Sequence, residues 1–323
     1  MTEKTFPVPE GEWLVIVNPN AGRRKGERDW TKISSLLNEY GLTFRAIFTH
    51  HRHHAIRLIS DFIRKGFRKF IIVGGDGTLN EAVNGVMDQD ICPSEEVLLA
   101  LIPVGTGNDW GRYHQIPFDY EGAVKTILQG NTLLQDAGHV RYMTEGNIRE
   151  RYFLNMAGMG YDALVAEKTN RQKDQGKGGP LSYLLNIFFS LFRYQHIKAR
   201  IRLDDKATDA EVFSMNVGIC RYNGGGMMQA PFANPQDGLL DLTIIKKLSK
   251  YMVIKNVTRL FDGSFTRLPM VFTGQGTNIE VISDHPLLLE TDGESMGHTP
   301  CHFTIFPASL RVITGLDGAS NKK

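Results

Sequence analysis

Apolar residues in the first third of the chain follow two alternating patterns. Residues 13–17 (WLVIV), 70–73 (FIIV) and 97–102 (VLLALI) are short unbroken apolar runs. Each is stopped by a turn signal, Asn18-Pro19, Gly74-Gly75 and Pro103 respectively. Runs of that length, ended in that way, read as strands buried on both faces. Residues 43–49 form a further strand-like stretch. Between these runs, Trp30, Ile33, Leu36 and Leu37, and then Ala55, Leu58, Ile59, Phe62 and Ile63, recur at helical spacing, and residues 80–87 also read as helix. Strands alternating with helices predict an α/β domain with a parallel sheet and helices on both faces.

Beyond about residue 137 the pattern changes. Residues 197–203 (IKARIRL) alternate with period two, and residues 211–220, 239–245, 277–282 and 301–306 also read as strands with few helices between them. This predicts a β-rich, mainly antiparallel second domain. The expected domains are residues 1–137 and 138–323, with the strand 310–314 either staying in the second or returning to the first. One stretch stands apart: residues 180–194 (PLSYLLNIFFSLFRY) are apolar around most of a helix yet too short to cross a bilayer. Lys168, Arg171, Lys173 and Lys177 precede it. The pair of features fits either docking on anionic lipid or a core helix under the second sheet. The flexible run Asn223-Gly224-Gly225-Gly226-Met227-Met228 either lets backbone approach a ligand or bends for packing.

Composition narrows the class. With 323 residues, 41% hydrophobic and 22% charged, the chain can bury a core in one large domain or two ordinary ones. Lys plus Arg is 37 against 35 Asp plus Glu, a net charge of +2, which excludes bulk electrostatic binding of nucleic acid. The 3 cysteines form no CxxC pair, the first residues carry no apolar leader, and no apolar run reaches membrane-spanning length. A cytoplasmic protein is expected, with contact at a membrane surface left open.

The chemistry lies in glycine-rich segments just past strand ends. They are Asn18-Pro19-Asn20-Ala21-Gly22, Gly74-Gly75-Asp76-Gly77-Thr78 and Gly105-Thr106-Gly107-Asn108-Asp109. In open α/β sheets ligands bind outside the carboxyl ends of the strands, and exposed amides at a helix start cradle anions. Several such loops on one sheet edge point to a polyphosphate. Known fingerprints fail: GxGxxG would need glycine at Asn80, and GxxxxGK[ST], HRD and DFG are all absent. Asp76 would repel phosphate unless Mg²⁺ bridges them; the alternative is an Asx-turn closing the loop on itself. Asp109 reads equally as the cap of a short helix. The run His50, His51, His53 and His54 lacks an HExxH pattern or a cysteine to complete a zinc site, and reads as a polar loop opening a helix.

Residues 70–80 (FIIVGGDGTLN) resemble the nucleotide loop of the diacylglycerol kinase catalytic domain family, which includes bacterial lipid kinases and sphingosine and ceramide kinases. GGDGT is shared with NAD kinases and phosphofructokinases. The family is narrowed by residues 101–110 (LIPVGTGNDW), 18–22 (NPNAG), 153–163 (FLNMAGMGYDA), 237–241 (DGLLD) and 291–294 (TDGE), in the family's order over about residues 12–312. The resemblance implies an NAD-kinase/phosphofructokinase-like first domain and ATP bound between the domains. Asn18, Pro19, Asn20, Ala21, Gly22, Thr49, Gly74, Gly75, Asp76, Gly77, Thr78, Leu79, Asn80, Thr106 and Asn108 would line that site. It implies Glu294 as the base toward the lipid hydroxyl, with Asp76 as the other candidate and Asp292 positioning the site. A second Mg²⁺ is implied at Asn234, Asp237 and Leu239. The implied reaction phosphorylates a lipid hydroxyl, most simply diacylglycerol to phosphatidic acid in phospholipid biosynthesis. A sphingoid base or ceramide remains open as acceptor, as does a non-catalytic lipid-binding role for the same fold. A peripheral membrane surface and a homodimer are the expected partners.

Overall fold

The computed structural model describes residues 11–174, 190–191 and 194–316. The chain divides into two compact units, one running up to Gln135 and resuming at Ala308, the other spanning Asp136–Pro307. The polypeptide passes from one unit to the other inside two long strands.

The first unit contains β1 (Trp13–Val17), α1 (Ala21–Arg28), α2 (Trp30–Glu39), β2 (Phe44–Phe48), α3 (His54–Arg64), β3 (Lys69–Gly74), α4 (Asp76–Met87), β4 (Leu98–Pro103), α5 (Asp109–Tyr113) and α6 (Tyr120–Gln129). β1 pairs in parallel with β2 on one side and β3 on the other, and β3 pairs in parallel with β4. Arg311 and Val312 from the returning chain add in parallel to Leu98 and Leu99. Leu14, Ile16, Phe70, Ile72 and Leu99 have no exposed surface. Central strands covered on both faces have no polar side, hence the unbroken apolar runs. Among the described residues β2 pairs with β1 alone and is half exposed, which is why FRAIF is less apolar.

α4 begins at Asp76, earlier than residue 80 where the apolar pattern starts. Its first turn is built from the polar GDGT stretch, so hydrophobic periodicity cannot detect it. α6, which the pattern also missed, is fixed by its ends: the Asp119 carboxylate accepts the Gly122 N–H at 2.7 Å, and Gly130 closes it at φ 69°.

The second unit contains most of β5 (Thr132–Thr144), then β6 (Asn147–Phe153), β7 (Met156–Gly160), α7 (Tyr161–Asp174), β8 (Ile197–Leu203), β9 (Lys206–Gly218), β10 (Leu240–Lys246), the helix Lys250–Asn256, β11 (Val271–Gly276), β12 (Asn278–Ser283), β13 (Leu288–Thr291) and most of β14 (Glu294–Ile313). β9 pairs antiparallel with β7, β8 and β10, and β13 lies antiparallel between β7 and β14. Helices are more prominent than the sequence pattern predicts. α7 hides from that pattern because it buries mainly Tyr161, Ala163 and Val165 in its first turns and turns polar afterwards.

The apolar stretch 180–194 lies outside the described residues except for Ser190, Leu191 and Tyr194. Leu191 is buried against Tyr161, Val165 and Phe213. Of the basic residues before it, Lys168 donates to Ser190 Oγ at 2.9 Å and Arg171 pairs with Glu167 at 2.6 Å. Among the described residues no helix is long and apolar enough to cross a membrane.

Candidate functional site

The glycine-rich loops leave the carboxyl ends of β1, β3 and β4 and pack on one another. Asn18 Nδ2 donates to Thr78 Oγ1 at 2.8 Å, joining the first loop to the second. A Cβ on Gly22 would sit 1.8 Å from the Val104 carbonyl oxygen, so the first loop touches the third through bare backbone. A Cβ on Gly105 would sit 2.7 Å from Gly75 Cα, so the second and third loops touch in the same way. The first loop also turns through Gly22, Arg23 and Arg24 at φ 59°, 59° and 67°. Left-handed conformations at two arginines cost about 1–3 kcal/mol each and persist where surroundings fix them.

Asp76 makes the last connection. Its carboxylate accepts the N–H groups of Asp109 and Trp110, each at 3.2 Å. Asp76 therefore caps α5 from another loop, and the sequence reading of Asp109 as that cap is corrected. Asp109 instead lies buried at the helix start, 3.8 Å from Arg112. Behind α5, Trp110 Nε1 and His114 Nε2 both donate to Gln135 Oε1, at 2.9 and 2.8 Å. Burial there drives the His114 pKa down to about 3.

The remaining loop residues cluster around these contacts. Thr49 is buried at the end of β2, with its N–H on Val17 O at 2.8 Å. Asn108 sits at φ 52°, with Nδ2 on Gly105 O at 2.9 Å. Its buried Oδ1 has no hydrogen-bond partner among the described residues. Thr78, Leu79 and Asn80 are buried inside α4, and Thr106 is exposed. Gly75 precedes α4 in an extended conformation and contributes no cap side chain to the first turn. The histidine run opens α3 as expected, held by Glu81, which accepts the His53 and Ala55 N–H groups at 2.8 and 3.1 Å. Nothing in the sequence pattern marked Glu81 for that role.

The second unit has its own polar cluster. Asp292 and Gly293, at φ 48° and 82°, form the tight turn between β13 and β14, and Thr291 pairs across it with Glu294. Positive φ at both central residues is the hairpin turn that Asp-Gly favours. The Asp292 carboxylate accepts the N–H groups of Leu154, Asn155 and Met156 at 3.1, 3.1 and 2.9 Å. Glu294, partly exposed, is the first residue of β14.

Glu290 lies beneath the turn. Its side chain accepts the Gly293 N–H at 2.8 Å and Asn223 Nδ2 at 3.0 Å. Burial is the main cause that pushes its pKa up to about 8; its hydrogen bonds only partly oppose the rise. Gly158 packs closely beside it: a Cβ there would sit 2.5 Å from Glu290 Oε1. Glu290 and Asn223 escaped the sequence reading, although the DG pair was a signal for the turn they support.

Asn234 and Asp237 are exposed in a loop closed by its own bonds. Leu239 N–H donates to Asp237 Oδ1 at 3.0 Å, and Gly238 N–H to Asp136 Oδ2 at 2.8 Å. Nearby Asp241, buried and bonded to Gln275, is pushed up to about 6, mainly by burial. Among the described residues no three His, Cys, Asp or Glu side chains converge as ligands.

Residues 12–140 match the diacylglycerol kinase catalytic domain, and residues 155–314 match the YegS C-terminal NAD kinase beta sandwich-like domain. The diacylglycerol kinase of Staphylococcus saprophyticus is 28% identical over 303 residues, covering 94% of this chain and 95% of its own. That of Staphylococcus aureus strain MRSA252 is 29% identical over 303 residues, covering 94% and 92%. A crystal structure of a diacylglycerol kinase from Bacillus anthracis strain Sterne shares the fold, with a TM-score of 0.71 at 24% identity over 96% of this chain and 98% of its own. Matched along nearly its whole length, the chain belongs to the diacylglycerol kinase catalytic domain family and is a lipid kinase.

Proposed function

We propose that this chain transfers the γ-phosphoryl group of ATP to the hydroxyl of a membrane lipid, with diacylglycerol as the acceptor and phosphatidic acid as the product. The observation that carries this reading is the close packing of the loops at the carboxyl ends of β1, β3 and β4, where Gly22 and Gly105 let backbone meet backbone. Such a surface offers amides rather than side chains to a ligand, which suits a triphosphate. The residues present fit a nucleotide. Gly75, at the N-cap of α4, has no side chain to occupy the amides that follow it, and the buried Asn108 Oδ1 is left as an acceptor for a ligand donor.

In this reading residues 18–22, Thr49, residues 74–80, Thr106 and Asn108 line the ATP site. Asp76 has the ligand chemistry for Mg²⁺, a hard carboxylate oxygen donor within the second glycine-rich loop. Bound there, Mg²⁺ would neutralise charge on the phosphates. The loop of Asn234, Asp237 and Leu239 is the second divalent position.

On the acceptor side Glu294 orients the lipid hydroxyl and takes its proton as the oxygen attacks the γ-phosphorus and ADP leaves. Asp292 fixes the turn that carries Glu294. The protein works in the cytoplasm at a membrane surface, where its acceptor resides.

The test is a panel of lipids incubated with γ-labelled ATP and Mg²⁺, with the product identified by mass. Phosphatidic acid formed from diacylglycerol supports the reading. Label on none of the lipids, or on a sphingoid base or ceramide alone, overturns it.

A further inference from the structure

A lipid kinase must meet its acceptor at a bilayer, and the second unit carries a surface suited to that meeting. The helix Lys250–Asn256 runs into a helical turn at Val257–Leu260. Ser249 caps it, accepting the Met252 N–H. One side faces inward: Val253 packs against the cluster of Tyr161, Val165, Leu191 and Phe213, and Asn256 is buried. The other side is apolar and exposed. Tyr251, Ile254, Val257 and Phe261 stand 69%, 52%, 40% and 57% accessible. Three-residue spacing puts Tyr251 and Ile254 on one face of the helix, and Val257 and Phe261 carry the exposed apolar run on into the turn that follows. Soluble surfaces seldom leave so many large apolar side chains in a row.

Along the chain, the charged residues of this segment have one sign. Lys246, Lys247, Lys250, Lys255 and Arg259 fall between Asp241 and Asp262 with no acidic residue among them. Lys247 pairs with Glu211 at 2.7 Å. Asp262, at the far end, accepts the Ser264 N–H at 2.9 Å. Lysine and arginine rimming an aromatic and aliphatic face are what an interfacial helix presents to acidic headgroups and the acyl boundary.

The stripe is also wired to the acceptor-side cluster. Met228 N–H donates to Leu260 O at 2.6 Å, and a Cβ on Gly263 would sit 2.9 Å from Pro231. These contacts bring in the loop that carries Phe232, itself 58% accessible. The same loop starts at Asn223, which bonds Glu290 beneath the Asp292-Gly293 turn. Protein laid on a bilayer by this face would bring the membrane to the loop that braces Glu294.

We propose that Tyr251, Ile254, Val257 and Phe261, with Lys250, Lys255 and Arg259, form a docking surface for an anionic lipid bilayer. The proposal rests on the reading of the chain as a kinase of a membrane lipid, and it places the contact at residues 250–261.

Two variants test it: Ile254→Asp with Phe261→Asp, and Lys250→Glu with Lys255→Glu and Arg259→Glu. Each is sedimented with vesicles of phosphatidylcholine alone or mixed with phosphatidylglycerol, and checked by thermal melting. Unmodified protein should sediment with the mixed vesicles, and both variants should bind them at least ~10-fold more weakly with unchanged melting. Their phosphorylation of a short-chain diacylglycerol dispersed as monomers should match the unmodified protein. Vesicle binding unchanged in either variant overturns the proposal, as does unmodified protein that ignores mixed vesicles. It is also overturned if the apolar variant loses a dimer in sedimentation velocity while keeping its vesicle binding, since the face then belongs to a second copy. Failure of the unmodified protein to phosphorylate the short-chain acceptor would sink the kinase reading instead, because vesicle binding is read without ATP.

Discussion

Asp292 accepts the backbone N–H of Met156 at 2.9 Å, and the same carboxylate holds the N–H groups of Leu154 and Asn155. One side chain thereby ties the β13–β14 turn to the start of β7. Hydrogen bonds to a buried charge contribute more than neutral ones, and removing the acceptor strands all of these donors. Asp292→Ala should therefore cost about 2–4 kcal/mol, read as a lower melting temperature or urea midpoint. Phosphoryl transfer should fall with it, because Glu294 stands two residues along the same turn. Asp292→Asn should recover part of the stability, since its oxygen still accepts. An unchanged midpoint in Asp292→Ala would show that the turn holds itself.

Gly22 tests the loop packing. A Cβ there would meet the Val104 carbonyl oxygen at 1.8 Å, and the residue sits at φ 59°. Backbone cannot give way as a flexible side chain can, so Gly22→Ala must push the first loop off the third. The expected result is loss of ATP binding by calorimetry, with KM for ATP raised at least ~10-fold where activity survives. Gly41→Ala is the control: it has a similar φ of 73° but nothing within 4 Å of its Cβ. It should cost about 1 kcal/mol in stability and leave ATP binding alone.

The central strands and the loops at their ends were legible in the sequence for one reason. Buried parallel strands write themselves as unbroken apolar runs, and glycines mark where they stop. The contacts between those loops were not legible. Asp76 caps α5 across a gap of more than thirty residues, a relation no local spacing encodes. The same holds for Glu81 over α3 and for Asn223 on Glu290. α7 and the helix Lys250–Asn256 were missed because each buries only a narrow stripe.

Glu290 and His114 give stability opposite dependences on pH. The buried Glu290 carboxyl has its pKa raised from an ordinary 4.5 to about 8. Between those values the folded chain keeps a proton that the unfolded chain has lost, so stability falls as pH rises through this window. His114 is lowered from 6.5 to about 3. There the unfolded chain binds the extra proton, so stability falls as pH drops from 6.5 toward 3. Each limb has a limiting slope of about 1.4 kcal/mol per pH unit. Urea unfolding at stepped pH should show Glu290→Gln flattening the alkaline limb and His114→Gln flattening the acid limb. If Glu290→Gln left the alkaline limb as steep as before, the neutral state assigned to Glu290 would be wrong.

Glu294 and Asp76 are rival bases, and kinetics can separate them. A group that only takes the acceptor's proton affects the chemical step and leaves nucleotide binding alone. Glu294→Gln should lower kcat by about 10²–10⁴-fold while KM for ATP and the Mg²⁺ requirement stay near those of the unmodified enzyme. Asp76 is bonded to the α5 amides and, in the proposed reading, faces the metal. Asp76→Asn should therefore raise both KM for ATP and the Mg²⁺ concentration for half-maximal rate, in addition to any loss in kcat. The inverse pattern, with metal dependence moved by Glu294→Gln and only kcat moved by Asp76→Asn, would exchange the two roles.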